Sequence, residues 1–173
     1  MENNLLENTY ESKNLLTKVY FRKKVEAAIR LAKLKKEDII LDFGCGAGWL
    51  ENRLKNFYIL GYDINPEKTF IKEYNEIKPT KIFCLDVFEH IPLEELEKII
   101  YNFKKIGNFE LIVSIPTGNF ISRKMRKLVG KIEIPKEHIT SYKEIINLLN
   151  KNFKLVKKIN FFTVTKIFKF KNI

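Results

Sequence analysis

The chain has 173 residues, 45% hydrophobic and 31% charged, and a formal net charge of +11, the profile of one soluble globular domain with a single substantial core. No apolar run approaches the ~20 residues that cross a bilayer, the polar start has no secretory h-region, and two cysteines supply no disulfide framework, so the cytoplasm is the expected compartment. The charge suggests nucleic acid, but only five of the 32 basic residues are Arg; Lys grips phosphates and bases less well, and a solvated lysine surface is the preferred reading.

Residues 1–36 read as helical. Leu15, Leu16, Val19, Val25, Ala28, Ile29 and Ala32 recur near helical spacing, with Arg22, Lys23 and Lys24 on another face. Two roles stay open for this N-terminal segment: a helix packed on the sheet edge, or a cap over the site that would use Tyr10 and Tyr20. Ile39–Leu41 then form a short apolar run that predicts a strand buried on both faces. It ends in Asp42, followed by Gly44, Gly46 and Gly48 at alternate positions and by the amphipathic Trp49, Leu50 and Leu54.

Strand, glycine turn and helix in that order offer close backbone approach and unpaired N–H groups, which suits a nucleotide-like cofactor. Asp63 ends the next apolar run, nineteen positions after Gly44, where a doubly wound fold places the carboxylate that holds ribose hydroxyls. The spacing is G-x-G-x-G rather than the dinucleotide G-x-G-x-x-G, and no Lys followed by Ser or Thr completes a Walker loop. Leu41-Asp42-Phe43-Gly44-Cys45-Gly46-Ala47-Gly48 resembles the signature strand of the class I S-adenosylmethionine-dependent methyltransferases. The resemblance implies that Gly44, Cys45 and Gly46 lie against the methionine moiety and that Asp42 orients local backbone and water. It also implies that Asp63 takes two ribose hydroxyls, Ile64 flanks the adenine, and the backbone around Leu85 meets the adenine amino group.

After Asn65-Pro66 a helix-compatible segment runs to about Asn75, and Pro79 stops it. Only seventeen residues separate Asp63 from Lys81, too few for the helix, strand and further helix usual in the resembled family. The sheet is expected to be one edge strand short there. The next strand, Lys81–Leu85, leads into Asp86-Val87-Phe88-Glu89-His90-Ile91-Pro92, which resembles the segment after strand four in small-molecule and lipid methyltransferases of the ubiquinone type. A helix follows, with Pro92 at its start, Glu94, Glu95 and Glu97 early, Lys104 and Lys105 late, and a buried stripe through Leu93, Leu96, Ile99, Ile100 and Phe103.

Phe109–Ile115 predicts another buried strand. Residues 117–140 form a lid-like insertion whose stretch 120–132 reads as a basic amphipathic helix, either touching a membrane surface or amphiphilic substrate or packing on its own domain. Ser141-Tyr142-Lys143-Glu144 is a capping box before a helix, and two β-rich stretches end the chain, an antiparallel pair by resemblance.

The expectation is therefore a single α/β domain over 1–173: a Rossmann-like, open, mostly parallel sheet with helices on both faces. Its function is S-adenosylmethionine-dependent methyl transfer to a small-molecule or lipid-like acceptor, with oxygen the first choice of atom. His90, His138 and Glu89 are the candidates for the base a hydroxyl acceptor needs. Glu89 with His90 has an alternative role at a divalent cation for a catechol-like acceptor; no further acidic cluster accompanies them and no metal is assigned. The absence of an Asp/Asn-Pro-Pro-aromatic tetrapeptide argues against methylation of exocyclic base amines. Alternatives are an RNA methyltransferase, or a non-catalytic relative that keeps the fold as a binding or partner protein.

Overall fold

The computed structural model describes residues 15–117, 138–162 and 164–172. Tyr10, the stretch 120–132 and most of the predicted lid lie outside the described residues. The elements are α1 (Leu15–Ala32), β1 (Ile39–Phe43), α2 (Trp49–Arg53), β2 (Tyr58–Tyr62), β3 (Lys81–Leu85), α3 (Leu93–Ile106), β4 (Glu110–Pro116), α4 (Tyr142–Asn152), β5 (Lys154–Phe161) and β6 (Thr165–Lys171). They build one six-stranded sheet in the order β2-β1-β3-β4-β6-β5. β1 to β4 run parallel, and β6 and β5 add antiparallel.

Parallel strands covered on both faces need apolar side chains at consecutive positions, and the period of two sorts them. Ile40, Phe83, Ile112 and Ile167 face one layer with Val25, Ala28 and Leu31 of α1. Leu41, Ile82, Leu111, Val113 and Phe170 face the other, with Leu96, Ile100 and Phe103 of α3 and Ile145 and Leu149 of α4. α3 has the predicted charge arrangement, starting at Pro92 and ending before Gly107. α4 starts at the predicted capping box: the Glu144 N–H donates to Ser141 Oγ at 3.3 Å, and the Ser141 N–H to Glu144 Oε2 at 2.8 Å.

Two expectations are corrected, and of the two roles left open for the N-terminal segment, the sheet edge gives way: α1 packs across the face of β4 and β6, with Phe21 and Val25 reaching the cavity. Lys24, placed with Arg22 and Lys23 on a face apart from the apolar positions, is only 1% exposed and forms an ion pair with Asp86. The helix expected between Asp63 and Asn75 is replaced by a turn and a short 3-10 helix, Tyr74–Glu76. The cause is local competition for backbone groups: Asn65 Oδ1 accepts the Glu67 N–H at 3.0 Å, Thr69 Oγ1 donates to the Ile71 carbonyl at 2.6 Å, and the Phe70 N–H donates to the Gly61 carbonyl at 2.9 Å. No strand forms in 64–80, so β2 is the sheet edge, as the short interval requires. Tyr74 fills in beside it, its ring 5.0 Å from Phe43 and 4.9 Å from Tyr62.

Removing one member of a buried ion pair strands the other, whereas replacing both with apolar groups is far milder. Lys24→Met is therefore expected to lower the unfolding free energy by about 3–5 kcal/mol. The double variant Lys24→Met/Asp86→Asn, which keeps an acceptor for Ser114 and a residue suited to the left-handed backbone, should recover most of that loss in chemical denaturation.

Candidate active site

The C-terminal ends of β1, β2 and β3 open onto a cavity of about 700 Å³. The chain leaves β1 toward β2 on one side and returns to β3 on the other, the place where open α/β sheets hold ligands. The glycine loop forms its floor. Gly44 has a φ of 82°, and a β-carbon there would collide with the side chain of Val87. At Gly46 (φ 53°) nothing lies within 4 Å of a β-carbon's position, so the backbone itself faces open space. The Gly44 and Cys45 N–H groups donate to the Tyr62 carbonyl at 2.7 and 3.1 Å, tying the loop to the end of β2.

Asp63 sits at that junction. Its Oδ2 accepts the Gly46 N–H and its Oδ1 the Asn65 N–H, both at 2.9 Å. Each oxygen keeps a further lone pair for a ligand hydroxyl. Ile64 and Leu85 also line the cavity, Ile64 at 84% exposure. α2 is five residues long and is entered through Gly48.

Beneath the loop lies a feature the sequence did not announce. Asp42 is paired in register with Gly61 on β2, and the missing side chain of Gly61 makes room for the carboxyl group of Glu51 from α2, which a β-carbon at Gly61 would strike. Both Glu51 oxygens are buried and accept no hydrogen bond from a donor of the described residues. Burial pushes the Asp42 carboxyl well above the usual carboxylate range, and Glu51, then Asp63, push it the same way. Burial also raises Glu51. Two buried carboxyl groups side by side resist ionising together. Cys45, beside them, has its thiol pushed up to about 12, first by burial and then by these carboxylates, so it is no nucleophile. Cys84 is likewise buried and free.

The opposite wall comes from the turn after β3. Asp86 takes a φ of 58°, held by Ser114 Oγ, which donates to its Oδ1 at 2.7 Å, and by the Lys24 ion pair on Oδ2. Burial lowers the Lys24 ammonium to about 7, and the Glu89 carboxylate favours its charged form; Asp86 is its direct partner. Val87 follows, then the 3-10 turn Phe88–His90. Glu89 is 3% exposed, and His90 lines the cavity. The Ile139 and Thr140 N–H groups both donate to the Glu89 carbonyl, at 2.8 and 3.3 Å. This brings His138 beside His90, ring centroids 4.9 Å apart and planes at 83°. One potential ligand atom from each of Glu89, His90 and His138 lies within 4.8 Å of the others.

All ten site residues expected from the sequence thus fall around one cavity or directly behind its walls. The loop group and Asp63 are on one side, Glu89, His90 and His138 on the other. Glu51 and Lys24 were missed because a charged residue in an amphipathic helix carries no mark of burial.

Residues 17–157 match the family described as a methyltransferase domain. The chain belongs to that family. No curated protein matches it. Among solved structures, this methyltransferase domain is similar to magnesium protoporphyrin IX methyltransferase (ChlM) from Synechocystis PCC 6803 with bound SAH, with a TM-score of 0.69 and 19% identity, over 97% of this chain and 93% of that one. It also resembles the pyocyanin biosynthetic protein PhzM (TM-score 0.63, 9% identity, 95% of this chain and 61% of that one). The small RNA methyltransferase HEN1 shares the fold at a TM-score of 0.65 and 17% identity, over 88% of this chain and 25% of that one. Among the described residues no helix is long and apolar enough to cross a membrane.

The acid pair gives the methyltransferase domain a pH signature. The folded state holds a proton that the unfolded chain releases at ordinary carboxylate pKa values, so this contribution to stability is full below that range and is lost as pH rises through the elevated folded values. Thermal unfolding without added ligand should therefore show stability falling as pH climbs from the carboxylate range toward neutrality. Glu51→Gln, whose amide donates to Asp42 at any pH, should flatten that slope.

Proposed function

We propose that this methyltransferase domain uses S-adenosylmethionine to methylate an oxygen atom of a small-molecule acceptor. One observation carries the reading: the glycine loop, Asp63 and His90 line a single cavity, with Glu89 and His138 beside His90. The residues fit the cofactor. The open space at Gly46 admits a ligand against backbone, Asp63 retains acceptor capacity for two ribose hydroxyls, and about 700 Å³ lies within the usual range for small-ligand sites.

S-adenosylmethionine supplies a methyl group on a sulfonium, poised for in-line displacement. The chain's part is to align the acceptor and remove its proton. Gly44, Cys45 and Gly46 hold the methionine end, with Asp42 and Glu51 beneath them favouring a cationic ligand. Asp63 fixes the ribose, Ile64 covers the adenine, and the Leu85 backbone meets its amino group. Removal of the hydroxyl proton falls to the Glu89–His90–His138 group, of which His90 faces the cavity. The acceptor then enters between these residues and the loop.

RNA is the second reading, favoured by the net charge of +11 and by the fold shared with HEN1. An RNA substrate would bind with steep salt dependence; a small acceptor would not.

Titration calorimetry tests the cofactor assignment. S-adenosylmethionine and S-adenosylhomocysteine should both bind, and Asp63→Ala should weaken each by at least about 10-fold, since one hydrogen bond to a charged group is worth about 1.5–3 kcal/mol. Absence of binding to the parent would overturn the reading in favour of a non-catalytic relative.

A further inference from the structure

We propose that the end of the domain where the cavity opens carries a docking surface for an anionic lipid bilayer, formed by the first turns of α1 and the tip of the β5–β6 hairpin. Tyr20 and Thr165 share a hydrogen bond of 2.8 Å between their hydroxyls, and Thr165 pairs with Pro116 at the C-terminal end of β4. Tyr20 therefore marks the level of that end, and its neighbours Phe21 and Val25 line the cavity. Leu15 lies five residues earlier, about 7–8 Å farther out along the helix axis.

Packing within the domain does not account for the side chains found there. Leu15, Leu16 and Val19 are all exposed, Leu15 at 73%. At about 100° per residue they form one stripe of α1, turned at least about 120° from Ala28 on the buried face. The stripe continues onto the hairpin. The Tyr20 ring lies 5.3 Å from that of Phe161 and 6.1 Å from that of Phe162, and Phe162 is 59% exposed. Phe162 also takes a φ of 47°, a left-handed conformation that a bulky residue adopts at a cost. Asn or Gly would turn the chain there without strain, yet the position holds an outward aromatic ring.

Charge selects the occupant. Lys18, Arg22 and Lys23, all exposed, border the stripe, and α1 has no acidic residue before Glu26, which pairs with Arg53. β5 and β6 together hold six lysines and no acid. Apolar side chains that protrude rather than line a groove, bordered by cations, suit the headgroup layer of an anionic bilayer. Leucine and phenylalanine enter the acyl boundary while lysine and arginine reach back to the phosphates. RNA would use the cations but not the leucines. The attachment is peripheral, because among the described residues no helix is long and apolar enough to cross a membrane. Docking of this end turns the cavity mouth toward the lipid; taken with the methyltransferase reading, on which this consequence rests, the acceptor is an amphiphile delivered from the bilayer.

Flotation of the full chain tests the surface, with vesicles of phosphatidylcholine alone and of phosphatidylcholine mixed with an equal amount of phosphatidylglycerol. The parent should float with the mixed vesicles and much less with the neutral ones. Leu15→Gln/Val19→Gln/Phe162→Asn should weaken that binding by at least about 10-fold, since each change withdraws apolar area from the lipid. Lys18→Ser/Lys23→Ser should weaken it by about 5-fold per lysine. The triple variant alters exposed positions only, and Asn suits the left-handed backbone, so its thermal unfolding should match or exceed the parent's. No flotation of the parent with mixed vesicles, or equal flotation of the parent and the triple variant, overturns the surface; binding of oligouridylate in place of vesicles assigns its cations to RNA. A parent dimer that the triple variant abolishes, seen by sedimentation without vesicles, assigns the patch to a second copy and overturns it too. S-adenosylhomocysteine titrated into the same samples separates the two proposals. Flotation without S-adenosylhomocysteine binding keeps the surface and overturns the methyltransferase reading, and the reverse result overturns the surface alone.

Discussion

The contact between Lys24 and Asp86 governs the geometry of the whole cavity. A lysine with 1% exposure is tolerable only with a carboxylate against it, and that carboxylate comes from the residue where β3 ends. The pairing fixes α1 over the sheet. With Ser114 it also holds Asp86 in a left-handed backbone conformation that a non-glycine residue adopts at a cost. The turn so formed aims Val87 at Gly44 and starts the 3-10 helix that carries Glu89 and His90. Helix, strand end and site wall meet at one ion pair.

A second electrostatic arrangement underlies the loop. Asp42, Glu51 and Asp63 crowd the ends of β1 and β2, and burial holds the carboxyl groups of the first two above the usual carboxylate range. Acid groups so placed destabilise the empty domain at neutral pH and favour a positively charged guest, an exchange of stability for binding that is common at functional sites. Gly61 makes it feasible by leaving out a side chain on an otherwise ordinary strand.

Strand-by-strand, the fold was legible because doubly buried strands must be apolar runs, and Ile39–Leu41, Lys81–Leu85 and Leu111–Val113 are such runs. Asp63 was legible from its distance to Gly44, the shortened edge from a count of residues, and α4 from Ser141 and Glu144. What stayed hidden depended on contacts distant in sequence. Nothing near Lys24 tells that Asp86 waits 62 positions on. The helix expected after Asp63 failed because Asn65 and Thr69 bond locally, a competition whose winner depends on Phe70 reaching Gly61. His138 could be named as a candidate from its neighbours, but its meeting with Glu89 rests on hydrogen bonds from Ile139 and Thr140 that spacing cannot foretell.

The two borders of the sheet are finished differently. β2 is short and shielded by the segment that folds back through Phe70 and Tyr74. Among the described residues no strand pairs with the outer border of β5, eight residues long, where Leu155 and Val156 are 44% and 52% exposed. Such a border invites a strand from another copy of the chain. Here it carries Lys154, Lys157 and Lys158, all exposed, and its pairing with β6 slips between Leu155 and Lys157. A second copy approaching edge to edge would bring like charges together along a kinked line. Part of the lysine excess that looks like an invitation to polyanions thus works as a guard against self-association into fibrils.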